Sequence, residues 1–210
     1  MDDLQRYWTQ TWAGLGLHDP SGPFAAELFQ QLCRCYAEPH RRYHTQQHLR
    51  ECLALCERDG TLAEHPAEVA MALWFHDAIY AHGRDDNERA SALWAQRALL
   101  DAGADAAVAD RVYALVMATC HGATPTTTTA DAALLVDIDL SILGATPQRF
   151  AEYGQQIRDE YDHVPEELFQ TKRREVLASF MARQHIYNTQ IYRDRLEAAA
   201  RRNLTQAMAG

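Results

Sequence analysis

With 210 residues, 47% of them hydrophobic, and no long apolar run, the chain has the size of one or at most two globular domains with a real core. A net charge of −9 and a pI near 5.5 argue against a nucleic-acid polymer as partner, because such polymers are held largely by clustered positive charge. The acidic start "MDDLQRYWTQTWAGLG" lacks the basic region and apolar block of a signal peptide, and no stretch reaches the ~18 apolar residues of a membrane span; a cytoplasmic protein with a small-molecule partner is expected.

In chain order, "SGPFAAELFQQLCRCYAEP" places Phe24, Leu28, Leu32, Cys35 and Tyr36 at three- and four-residue intervals between Pro23 and Pro39, which predicts an amphipathic helix. Helical periodicity follows over residues 46–58, 66–80, 87–101 and 107–120. "GATPTTTTAD" reads as a loop or extended link, and further helices are predicted over 131–143, 148–161, 166–184 and 188–207. "LLVDIDLSIL" has the apolar content of a buried strand, yet a lone strand among helices would leave its backbone groups unpaired, so it is read as helix. The expected fold is all-α, a single helical domain over residues 1–210.

Five cysteines without a secretion signal predict free thiols and no disulfides. Cys52 and Cys56, one helical turn apart, could hold a metal with neighbouring histidines, but no second cysteine pair stands at finger spacing and they are read as core residues. Lys172 is the single lysine, so recognition of an anion would fall mainly to arginine.

Chemistry collects in three places. In "RYHTQQHLRECLALC", His44 and His48 are four residues apart, and His48 shares a helix side with Cys52 and Cys56. In "EVAMALWFHDAIY", His76 and Asp77 end an apolar run; in "LLVDIDLSILG", Asp137 and Asp139 interrupt one. Buried imidazoles and carboxylates cost several kcal/mol unless paired, protonated or bound to a cation. Each site alone has an ordinary structural explanation, but a His, a His-Asp pair and an Asp from three helices form the mixed set that suits a divalent transition metal.

The order H…HD…D on consecutive helices, carried by "RRYHTQQHL", "WFHDAIY", "NERASA" and "DIDLSILG", resembles the signature of the HD-domain superfamily of metal-dependent phosphohydrolases, in particular its bacterial branch of predicted HD phosphohydrolases. The resemblance covers about residues 35–190 and implies a helical bundle of the HD-domain type. It assigns His48, His76, Asp77 and Asp139 as metal ligands, with Asp137 in reserve, and implies Mn, Fe, Co, Ni or Zn as the ion, with Mg as an alternative. The implied activity is hydrolysis of a small phosphorylated substrate, a nucleotide being one candidate, by attack of a metal-activated water.

Around these ligands, His44 is expected to reach the same cavity, with Arg41 or Arg42 meeting an anion. His121 is a further pocket candidate. Nucleotidases of the superfamily carry a glutamate three positions after the doublet's aspartate; this chain has Tyr80 there, and Glu88 is the nearest acid able to orient water, or else a helix-dipole residue. Lys172 and Arg173 are either phosphate contacts or a solvated charge run. The alternative to an enzyme is a nucleotide-binding or sensor module that keeps the fold without turnover, and a homo-oligomer is left open.

Overall fold

Proline and short polar side chains set most of the helix starts. Pro23, Pro66 and Pro147 open three helices at positions where the missing N–H costs nothing, and Thr45, Asp105 and Thr146 each accept a hydrogen bond from a first-turn backbone N–H. The computed structural model describes residues 3–120 and 129–209, and among them every regular element is helical. In order these are α1 (Asp3–Gly14), α2 (Pro23–Cys35), α3 (Gln46–Asp59), α4 (Pro66–Phe75), α5 (Asn87–Asp101), α6 (Ala106–Met117), α7 (Ala130–Asp139), α8 (Pro147–Glu160), α9 (Glu166–Met181), α10 (Gln190–Tyr192) and α11 (Ala198–Ala209). A π-helical turn, Arg193–Glu197, joins the last two, and 3₁₀ turns follow α3 and α7 at Gly60–Leu62 and Leu140–Gly144. His121 and most of "GATPTTTTAD" lie outside the described residues.

The chain forms two compact units, Met1–Leu135 and Val136–Gly210. In the first, α4 is the central rod: Val69, Met71, Ala72, Leu73, Trp74 and Phe75 are all fully buried, as expected for a helix that is apolar on every side. Trp8 of α1 meets Trp74 edge to face at 5.3 Å, and Phe29 of α2 lies 5.9 Å from the same ring. Two polar anchors fix the start of α4. Buried Glu68 takes a two-pronged ion pair from Arg111 of α6 at 2.7 and 2.8 Å, and Asp131 of α7 accepts the backbone N–H groups of Glu64 and His65.

In the second unit a buried carboxylate organises the chain. Asp137 accepts four hydrogen bonds, from the backbone N–H and side chain of both Asn188 and Thr189, at 2.6 to 3.1 Å. Burial pushes its carboxyl upward, with those four donors working against the shift. Nearby, Gly144 leaves no room for a side chain: a Cβ there would stand 2.7 Å from Leu196 Cβ and 2.9 Å from Tyr187 Oη. Asn203 of α11 donates to the carbonyls of Leu143 and Ala145, closing the turn that follows α7.

Helix boundaries differ from the sequence pattern in ways that matter. α1 is a helix that the periodicity reading omits. The segment predicted as helix over 66–80 stops at Phe75, and 131–143 gives way to a 3₁₀ turn after Asp139. All five cysteines are free, and no helix among the described residues is long and apolar enough to cross a membrane.

Candidate metal centre

The end of α4 is where the buried rod hands its polar residues over. His76 caps the helix, its N–H bonded to the Ala72 carbonyl, and the chain then leaves helical geometry through His76–Tyr80. Side chains far away in sequence take the place of the missing helical bonds. Tyr36 Oη accepts the Asp77 N–H at 3.3 Å, and the Arg41 guanidinium donates to the carbonyls of Asp77 at 2.6 Å and Ala78 at 3.0 Å. From α5, Ser91 Oγ accepts the Ile79 N–H, and the Asn87 amide pairs with both backbone groups of Ala81. The turn is held by its backbone, which leaves the His76 and Asp77 side chains available for other work.

Those side chains meet His48, which enters from the first turn of α3. His48 Nε2 and His76 Nε2 are 3.0 Å apart; Asp77 Oδ2 lies 3.0 Å from His76 Nε2 and 3.5 Å from His48 Nε2. His76 Nδ1 is 2.8 Å from the Leu73 carbonyl, which fixes a proton on Nδ1 and turns Nε2 toward the cluster. Both histidines are 2% exposed, so water does not solvate this convergence of lone pairs. Burial pulls the Asp77 carboxyl up, but the charges of His76 and His44 and the hydrogen bonds from His48 and His76 outweigh it and hold Asp77 well below the usual carboxylate range.

Ligand spacing offers a test of fit. Bonds of about 2.0–2.2 Å from nitrogen and oxygen at tetrahedral angles put ligand atoms roughly 3.3–3.5 Å apart; one observed spacing, 3.5 Å, lies in that range and the other two, both 3.0 Å, fall just short of it. Cys52, one turn beyond His48, brings its Sγ to 3.7 Å from both ring nitrogens of that residue. Within the first unit, His48, Cys52 and His76 therefore form a buried group able to hold a metal ion, with the partly exposed Asp77 beside both histidines.

Aromatic rings surround the group. Tyr43 lies 4.7 Å from the His48 ring, His44 stacks on Tyr80 at 4.2 Å, and the Arg41 guanidinium sits over Tyr36 and Tyr80 at 5.3 and 5.5 Å. Burial pushes the Tyr36 phenol up to about 12, keeping it a neutral acceptor for the Asp77 N–H.

The structure brings His44, His48, His76 and Asp77 together. Arg41 is not placed to meet an anion from solvent: it is 2% exposed, and Glu38 and three backbone carbonyls occupy its donors. Arg42 is exposed and donates to the Pro39 carbonyl at 2.7 Å. Glu88 stands in the first turn of α5 with no hydrogen bond or ion pair to the cluster; in "NERASA" it is Asn87 and Ser91 that secure the turn after the doublet. In the second unit Lys172 pairs with Glu175, Arg173 lies over the Tyr153 ring, Asp139 is the half-buried last residue of α7, and Asp137 is fully engaged as a structural acceptor. Cys52, read from sequence as core, was detectable by its i, i+4 relation to His48. Searches of family models, curated proteins and solved structures find nothing that matches this chain.

Proposed function

We propose that the chain binds a divalent transition metal through His48, His76 and Asp77 and hydrolyses a small phosphorylated substrate. The observation that carries the reading is the approach of two buried imidazole Nε2 atoms and one oxygen of the partly exposed Asp77 carboxylate to within 3.0–3.5 Å of one another. Three acceptors at that spacing repel unless a proton or a cation lies among them. The resemblance adds Asp139 as the last ligand on sequence grounds, and loss of metal in Asp139→Ala tests it.

A metal bound here would supply Lewis-acid activation of water and of a phosphoryl oxygen. The protein's own contribution is placement. The Leu73 carbonyl orients His76, Arg41 and Tyr36 hold the Asp77 backbone, and Asp77 remains an anion. His44, stacked on Tyr80, places an imidazole beside the cluster. A second reading, binding without turnover, is favoured by two observations: Arg41 is committed to the backbone, and Tyr80 stands where nucleotidases of the resembling family carry a glutamate.

Protein purified without chelator should carry about one equivalent of transition metal per chain, as a preorganised His and carboxylate site would. Turnover of a panel of nucleotides and phosphoesters, with Mn, Co, Ni, Mg and Zn supplied in turn, then separates the readings. A chain that neither retains nor is stabilised by any divalent ion would end the metal reading. Metal without turnover on any substrate would leave the binding module.

A further inference from the structure

Cys52 is the one soft donor at this centre. It lies on α3 one turn after His48, is 2% exposed, and places Sγ within 4.8 Å of ligand atoms on both His48 and His76. Sγ stands 3.7 Å from both ring nitrogens of His48, over the ring rather than along the Nε2 lone pair, so a metal–sulfur bond of about 2.3 Å requires the Cys52 side chain to turn toward the ion. Cys56, a further turn along, does not join the group, and burial pushes its thiol up to about 12. The remaining cysteines, Cys33, Cys35 and Cys120, are half-buried and outside it.

We propose that Cys52 is a thiolate ligand of the metal, making the centre a His-Cys-His-Asp site selective for a thiophilic ion such as Zn(II) or Co(II) over Mg(II) and Mn(II). The inference rests on the metal reading above and adds the identity of a ligand and the class of ion. On binding, the S–H bond breaks, a metal–sulfur bond forms and the proton passes to solvent. Hard oxygen-seeking ions gain little from such a donor, whereas softer ions gain a strong bond. The donor set also bears on access. His48, Cys52, His76 and Asp77 alone fill a tetrahedral ion, so Asp139 or a substrate atom would bind only by expansion to a fifth position or by displacing a weakly held ligand.

The test is optical and needs no turnover. Metal-free full-length protein is titrated with Co(II) chloride, and the near-ultraviolet region is watched for sulfur-to-cobalt charge transfer alongside the visible d–d bands. The expected result is a charge-transfer band that saturates with the d–d bands, disappears in Cys52→Ser and persists in Cys56→Ser. Cys52→Ser should still take up Co(II) through nitrogen and carboxylate, with Zn(II) affinity lowered by at least roughly 10–100-fold and Mn(II) affinity little changed. Visible bands without charge transfer, or a charge-transfer band that survives in Cys52→Ser, would overturn the inference and leave the metal reading standing. No Co(II) uptake by the wild-type chain would overturn both.

Discussion

The turn after α4 and the turn after α7 begin from the same kind of sequence and end in different chemistry. Each closes a buried apolar run with an aspartate, "LWFHD" in one and "LLVDID" in the other. Asp137 meets four uncharged donors, all from Asn188 and Thr189, and its oxygens are used up in holding the chain. Asp77 meets imidazoles instead, while its backbone is held independently by Tyr36 and Arg41. A buried carboxylate satisfied by fixed donors is architecture; a carboxylate whose partners are imidazoles is a candidate site. The difference lies in the partners and in burial, Asp137 being fully buried and Asp77 partly exposed.

Removing each carboxylate should separate the two cases most sharply. Asp77→Ala is expected to abolish metal retention while the metal-free protein keeps its stability to within about 1 kcal/mol, because the turn's backbone anchors survive; metal analysis and melting with and without added Zn(II) measure both. Unchanged metal content would make Asp77 a structural residue after all. Asp137→Ala should do the opposite, leaving buried N–H donors unpaired at a cost of about 3 kcal/mol or more and lowering Tm by about 10 °C. Asp137→Asn should recover only part, since an amide NH2 would face a donor.

Arg41→Lys sharpens the comparison from the side of the anchors. A single ammonium cannot span the Asp77 and Ala78 carbonyls together, so roughly 2 kcal/mol of stability and some metal affinity should be lost together. Were Arg41 an anion contact, KM for a phosphorylated substrate would rise with Tm unchanged. The smallest effect is expected at His44, whose ring stacks on Tyr80 without joining the 3.0 Å cluster. His44→Ala should keep most of the metal and reduce turnover or substrate affinity by roughly 10–100-fold, whereas His48→Ala should lose the ion. The reverse pattern in metal content would put the first ligand one helical turn earlier.

Much of the all-α fold was legible because apolar residues at three- and four-residue spacing, flanked by proline and threonine, are local signals. α1 was equally legible in kind: Leu4, Trp8 and Trp12 form a buried stripe that the reading of that segment passed over. The stop at Phe75 was not, because it depends on Tyr36 and Arg41, which are remote from the turn in sequence, together with Asn87 and Ser91 of the next helix. The same holds for choosing between Asp137 and Asp139, since the donors that engage Asp137 come from about 50 residues away. His48, His76 and Asp77 could be picked out as residue types in a pattern. The commitment of Arg41 to carbonyls was not legible in this way, whereas the place of Cys52 beside His48 was already given by their i, i+4 spacing.

The cluster of indoles around α4 gives the molecule a built-in optical asymmetry. Trp8, Trp12, Trp74 and Trp94 are the chain's four tryptophans, and all belong to Met1–Leu135, while Val136–Gly210 has only tyrosine and phenylalanine as chromophores. Emission excited at the red edge of the absorption band therefore follows one half of the chain, whereas far-ultraviolet dichroism sums helices from both. Where the two signals coincide along a denaturant ramp the halves melt as one; where they part, the tryptophan trace times the loss of the indole cage around Trp74, two residues before His76.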